Sequence, residues 1–141
     1  MRLFSKILVP VDLSNRSESA IRTAVDLADP DRSVVWLLHV IETIEGADDG
    51  ELGAFYDELE AQARTRLSGW IDELGATGAK VEPIVSFGHR AREILRHAEE
   101  VGCDLIVLSS HRADPELPAG GIGTISHRVA LVADCPVLLI R

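Results

Sequence analysis

The residues of this chain that could do chemistry concentrate at one place. The apolar run Leu105-Ile106-Val107-Leu108 ends abruptly in Ser109-Ser110-His111-Arg112. A Pro/Gly-rich stretch follows, and Gly123-Thr124-Ile125-Ser126 opens an amphipathic segment. In an α/β protein this order is strand, loop, helix N-terminus. The first N–H groups of a helix lack intrahelical partners, and the helix dipole adds positive potential there, so an anion such as a phosphate is the expected guest. A second candidate is Asp12, which follows Ile7-Leu8-Val9-Pro10-Val11 at another strand end. Simpler roles exist for each residue taken singly: Asp12 suits a turn, and Thr124 or Ser126 suits a helix cap.

These residues need a scaffold, and the remaining chain reads as one. Residues 7–11 form an almost wholly apolar run, as expected of a strand buried on both faces of a parallel sheet, with Pro10 at its C-terminal margin. Asp12-Leu13-Ser14-Asn15 is the turn out of it, and Ser14 or Asn15 is placed to cap a helix running to about residue 28. Residues 34–41 are a second buried strand. From 51 to 74 the apolar residues Leu52, Phe55, Tyr56, Leu59, Ala63, Leu67, Trp70, Ile71 and Leu74 recur at spacings of mostly three and four, which predicts a long amphipathic helix with these positions in the core. Residues 79–86 alternate and contain Pro83, which marks an edge strand. A helix over 90–101, a strand over 104–108, a helix over about 124–133 and a final strand over 137–140 complete the order. Strands separated by helices pair in parallel with right-handed crossovers, giving an α/β, doubly wound sheet. Ligands of such sheets sit beyond the strand C-termini where the strand order reverses, so the first and fourth strands should flank the crevice, with Asp12 and Ser109 facing each other.

Bulk composition narrows the function. One domain, 1–141, is the expectation for 141 residues, and 46% hydrophobic residues supply a core. The mean hydropathy of +0.12 argues against disorder. A net charge of −9 without a basic stripe argues against nucleic-acid backbones and anionic membranes as partners. A small anion held by backbone amides remains compatible with it. No segment has signal-peptide or membrane-spanning character, which points to the cytoplasm. Cys103 and Cys135 sit beside apolar runs and read as reduced residues at the core edge rather than a disulfide framework. The final strand is apolar along its length; pairing with the same strand of a second copy would cover it, so a homodimer through residues 137–140 is expected.

With these elements placed, the chain resembles the universal stress proteins of single-domain type along essentially its whole length. The likeness rests on Ile7-Leu8-Val9-Pro10-Val11-Asp12-Leu13-Ser14, Leu38-His39-Val40, residues 104–112, and Gly123-Thr124 followed by Ala133-Asp134-Cys135-Pro136-Val137-Leu138-Leu139-Ile140. The resemblance implies a five-stranded parallel sheet of order 3-2-1-4-5 with helices on both faces, like the adenine nucleotide alpha hydrolases. It also implies a cytoplasmic dimer and, in one branch, ATP binding, with Mg²⁺ on the phosphates. ATP-binding members carry Gly-x2-Gly-x9-Gly-Ser/Thr. Here the closing pair is Gly123-Thr124, and both earlier glycines are absent. Strict counting puts Ser110 and Ala113 in their places; keeping Ser110-His111 in register puts Ser109 and Arg112 there, with a spacer of ten. Arg112 would then either clamp phosphate with its planar donor fork or fold in and block the site. By resemblance, Pro10, Val11 and Val40 frame adenine, Asp12 lies near the ribose or a phosphate-bound Mg²⁺, and Gly123, Thr124, Ile125 and Ser126 serve the phosphates beside Ser109, Ser110, His111 and Arg112.

Other chemistry fits less well. A triad of Ser109 or Ser110, His111 and Asp12 lacks the Gly-x-Ser-x-Gly elbow, and its serine and histidine are adjacent or nearly so. The five histidines and two cysteines show no zinc spacing. The resemblance thus implies a regulatory or protective stress-response module that binds ATP or a related adenine nucleotide and acts on an unidentified regulatory protein, with at most slow ATP hydrolysis or autophosphorylation. The alternative is a nucleotide-free dimerisation and protein-interaction module with a degenerate phosphate loop.

Overall fold

The apolar runs become five strands of one parallel sheet. The computed structural model describes residues 4–44, 49–75, 78–110 and 125–141. In chain order the elements are β1 (Lys6–Pro10), α1 (Ser17–Leu27), β2 (Val34–Ile41), α2 (Asp49–Leu74), β3 (Lys80–Phe87), α3 (Arg90–Val101), β4 (Leu105–Ser109), α4 (Ile125–Val132) and β5 (Val137–Ile140). The strand order is β3-β2-β1-β4-β5, as the resemblance implies. The chain steps outward from β1 to β3, then returns past β1 to β4, so the order reverses at the β1–β4 pair. There Ile7 lies opposite Leu105 and Leu8 opposite Ile106.

Each central strand supplies both layers of the core, which is why its sequence is apolar rather than alternating. Ile7, Val9, Val35, Leu37, Leu105 and Val107 meet Ala20, Ile21 and Ala24 of α1 and Ala63, Leu67 and Trp70 of α2 on one face. Leu8, Leu38, Val40, Ile106 and Leu108 meet Ile94 of α3 and Val129 of α4 on the other. β3 closes one edge, with Pro83 opposite Leu37 in register. The outer side of an edge strand needs no ladder hydrogen bond, which is why proline is tolerated. β5 closes the other edge, where Leu139 is 42% exposed, next in sequence to α4, whose Leu131 and Val132 are 73% and 63% exposed.

Several local expectations are corrected. α1 has no side-chain cap: its preceding residue is Arg16, and the backbone carbonyls of Ser14 and Asn15 accept from the N–H groups of Ser17 and Glu18, both at 3.1 Å. The Ser14 hydroxyl donates to the Asp12 carboxylate, and the Asn15 side-chain Oδ1 accepts from the Arg66 guanidinium, both at 2.6 Å. β4 starts at Leu105, because the Asp104 side chain turns back to accept from the N–H groups of Ser5 and Lys6. Phe55 is not in the core. It is 50% exposed and lies at a tilt to the ring of Tyr56, which meets Phe87 edge-on. Thr124, expected to open α4, lies outside the described residues.

Candidate functional site

A cavity of about 210 Å³ opens at the C-terminal ends of β1 and β4. It gathers Pro10, Val11 and Asp12 from the end of β1, Val40 from β2, Ser109 and Ser110 from the end of β4, and Ile125 and Ser126 from the start of α4. These are sequence candidates, brought together from four separate parts of the chain. His111, Arg112, Gly123 and Thr124 lie outside the described residues. The cavity also includes Ser17, Leu38, Arg90, Ile94 and Leu108, which sequence reasoning assigned to helix starts or core. For Arg90 a signal was present: a cation at the first position of a helix opposes the helix dipole and calls for another role.

The turn after β1 is built around Asp12. Its Oδ1 accepts from the Ser14 N–H at 2.9 Å, the Ser14 hydroxyl at 2.6 Å and the Ser17 hydroxyl at 3.1 Å. The Asp12 N–H donates back to Ser17 Oγ at 3.2 Å. Burial raises the carboxyl pKa, but the hydrogen bonds from Ser14 and Ser17 and the nearby Arg16 charge outweigh it, so Asp12 is held below the ordinary carboxylate value. It is an anion at neutral pH. Leu13, next to it, has φ +69, a left-handed conformation that costs a branched residue energy unless its surroundings enforce it. They do: the Leu13 side chain packs against the core, and Arg66 Nε donates to its carbonyl at 3.4 Å. Arg66 is itself held over the Trp70 ring at 4.4 Å, so the long helix α2 braces the turn that aims Asp12.

His39 fixes the same turn from β2. Its Nδ1 lies 2.9 Å from the Val11 carbonyl, which can only accept, so this nitrogen carries the proton. Burial lowers the His39 pKa; the Val11 hydrogen bond opposes this, the Arg90 charge adds to the lowering and Asp12 opposes it. The imidazole is therefore neutral and structural.

At the opposite wall the hydroxyls are partly committed. Ser109 Oγ donates to the Arg16 carbonyl at 3.1 Å, tying the end of β4 to the entrance of α1. The Ser110 N–H donates to the Ile140 carbonyl at 2.7 Å, holding the same strand end to β5. Ser126 Oγ donates to Ser110 Oγ at 3.4 Å, so α4 begins against the end of β4. Arg90 stands at the mouth, 3.7 Å from the Glu42 carboxylate, both side chains about half exposed. The cavity lining thus combines apolar side chains (Val11, Leu38, Val40, Ile94, Leu108), the Asp12 carboxylate and hydroxyls at the N-terminus of α4. Among the described residues, no group of three or more His, Cys, Asp or Glu side chains could hold a metal ion.

A doubly wound parallel sheet with its cavity at the reversal of strand order defines a class: α/β proteins that hold ligands beyond the strand C-termini. Within it, the chain belongs to the universal stress protein family, whose model matches residues 3–141. It is 32% identical over 149 residues to Universal stress protein YxiE of Bacillus subtilis, covering 99% of this chain and 100% of that one. The structure of universal stress protein UspA from Lactobacillus plantarum is similar with a TM-score of 0.83 at 26% identity, covering 100% of both chains. The Archaeoglobus fulgidus universal stress protein, a structure in complex with dAMP, shares the fold with a TM-score of 0.70 at 23% identity, covering 99% of this chain and 100% of that one. No helix among the described residues is long and apolar enough to cross a membrane.

Proposed function

We propose that this protein binds an adenine nucleotide in the cavity between β1 and β4 and serves as a regulatory module of the stress response rather than as a dedicated enzyme. The observation that carries the reading is the mixed apolar, acidic and hydroxyl lining of that cavity. A flat aromatic base suits the apolar side chains, between Pro10-Val11 and Val40. A ribose hydroxyl or a Mg²⁺ on the phosphates suits the Asp12 anion. Phosphate oxygens suit the N-terminus of α4 with the hydroxyls of Ser110 and Ser126. His111, Arg112, Gly123 and Thr124 complete the phosphate cradle in this reading, on the strength of the sequence motif. The Ser109 hydroxyl already donates to Arg16, so toward phosphate it can serve only through its backbone or by exchanging that bond. An adenine nucleotide in a relative of the same fold, dAMP in the Archaeoglobus protein, agrees with this choice of ligand.

Nucleotide occupancy would act by changing a surface that a protein partner reads; that shift requires different affinity for the two states. The family is generally regulatory, and neither Asp12, an ionised turn carboxylate, nor His39, a neutral structural imidazole, is poised as a base for fast turnover. Pairing of β5 with its counterpart in a second copy gives a homodimer in this proposal, and the cytoplasm is the expected compartment. The test is mass spectrometry of small molecules released from the denatured pure protein, followed by Mg-ATP calorimetry on wild type and Asp12→Ala. Released adenine nucleotide, or wild-type binding that the substitution weakens, supports the reading. No released nucleotide and no binding at millimolar ATP would leave the nucleotide-free interaction module in its place.

A further inference from the structure

Cys103 and Cys135 lie 32 residues apart in sequence, yet their Sγ atoms are 3.6 Å apart. Both are half-buried and reduced. They sit at the opposite end of the sheet from the nucleotide cavity, where the chain enters β4 and β5. Each is held by backbone. Gly102, in the left-handed conformation at φ +64, ends α3, and the Cys103 N–H donates to the Ala98 carbonyl at 3.0 Å. Cys135 precedes Pro136, whose carbonyl accepts the Ile106 N–H at 3.0 Å. The two turns are therefore pinned to neighbouring, hydrogen-bonded strands, and the sulfurs need to approach by only about 1.5 Å to reach the bonding distance of about 2.05 Å. A second cleft, of about 290 Å³, leads to both thiols between Leu95 and Ala98 of α3 and Val132 of α4.

We propose that Cys103 and Cys135 form an oxidisable dithiol that undergoes thiol–disulfide exchange with a small-molecule disulfide entering this cleft. Burial and the contact with Cys135 push the Cys103 thiol up to about 12. With Cys135 attacking first, its thiolate bonds to one sulfur of the small disulfide, the S–S bond breaks, and the other half leaves as a thiol after taking a proton. The Cys103 sulfur, losing its proton as it attacks, displaces the second half from Cys135 and closes the Cys103–Cys135 bond. Two protein thiols are oxidised and one small disulfide is reduced to two thiols. The raised Cys103 pKa makes the second step slow at neutral pH and faster as pH rises.

The bond would close a ring over 103–135 that contains β4 and α4. α4 is only eight residues long: Ile125 and Ser126 at its start line the nucleotide cavity, and Val132 at its end lines the dithiol cleft. Oxidation would thus anchor one end of the helix whose other end faces the nucleotide site.

The test uses oxidised glutathione on the reduced, folded protein, read by intact mass and free-thiol count without reductant. The expected wild-type product loses both thiols and the mass of two hydrogens, retains no glutathione, returns to the starting mass with dithiothreitol, and melts roughly 5–10 °C higher. Cys103→Ser should stop at the mixed disulfide, with one glutathione on Cys135. Wild-type protein that keeps both thiols under conditions that oxidise it in urea, or that ends as a glutathione adduct or an intermolecular dimer, would overturn the proposal. Cys103→Ser that takes up no glutathione would overturn the assignment of Cys135 as the attacking sulfur.

Discussion

Asp12 and Ser17 hold each other by two hydrogen bonds: the Ser17 hydroxyl donates to Asp12 Oδ1 at 3.1 Å and accepts from the Asp12 N–H at 3.2 Å. Ser17 is 1% exposed, so neither bond is exchanged for water without opening the turn. Ser17→Ala should therefore destabilise the protein by about 1–2 kcal/mol, the net worth of the two hydrogen bonds lost. Under the nucleotide reading it should also weaken Mg-ATP binding, because Asp12 loses a positioning partner. Urea unfolding and calorimetry check the two effects separately. Ser17→Thr should restore both in part, and unchanged stability in the alanine variant would remove Ser17 from this role.

Arg90 separates binding from folding. It occupies the first position of α3, where the helix dipole disfavours a cation, and its Glu42 partner at 3.7 Å is exposed and weak. Arg90→Ala should leave stability within about 0.5 kcal/mol of wild type. If the guanidinium serves a nucleotide, the same change should weaken ATP by roughly tenfold, the worth of one charge-assisted hydrogen bond. Equal affinity in the two proteins would show that Arg90 merely rims the cavity.

The pH dependence of stability has a defined sign. The folded pKa of His39 lies below its ordinary 6.5, so the unfolded chain takes up that proton first as pH falls. The stabilisation is complete above about pH 6.5 and is lost as pH falls from there through the folded value. Asp12 and Glu93 are also lowered, Asp12 by its hydroxyl partners against the opposing effect of burial, Glu93 chiefly by the hydrogen bond from Arg96. Their contributions are present above their unfolded values and are lost only below about pH 4. Unfolding curves at pH 7.5 and 5.5 should show a decline in wild type that shrinks in His39→Gln. An identical decline in both proteins would place the titration elsewhere.

Leu139 tests the self-association reading. It lies on the edge strand β5 and is 42% exposed. Leu139→Arg should change monomer stability little and convert a dimer to a monomer in light scattering after gel filtration, since a charge cannot be buried unpaired at an interface. A wild-type protein that is already monomeric would dispose of the β5 interface.

The architecture was legible because parallel strands buried on both faces leave continuous apolar runs, and Ile7-Leu8-Val9, Val35 to Val40 and Leu105 to Leu108 are such runs. Element order then implied the reversal at β1 and β4, and with it the place where Asp12, Val40, Ser109, Ser110 and Ser126 meet. The cap of α1 was misread because the helix begins at Ser17 with Arg16 at its cap position, so Ser14 lies too early in the chain, and its hydroxyl oxygen accepts from the Arg16 N–H at 3.3 Å instead. Phe55 was misread because helical spacing says which side chains share a face, not which of them the rest of the fold covers.

By itself the sequence determined the layers: periodicity and chain order are local properties, and a parallel sheet with crossover helices is the arrangement that buries them. It also placed the anion-binding candidate, since a strand end, a glycine-bearing loop and a helix start are contiguous in the chain. What only the tertiary structure decided are the pairings between distant residues: Arg66 on the Leu13 carbonyl, His39 on Val11, Arg90 at the cavity mouth and Cys103 beside Cys135. Those depend on the register of strands and the angle at which each helix crosses the sheet. Both are set by the packing of the whole core rather than by any one segment.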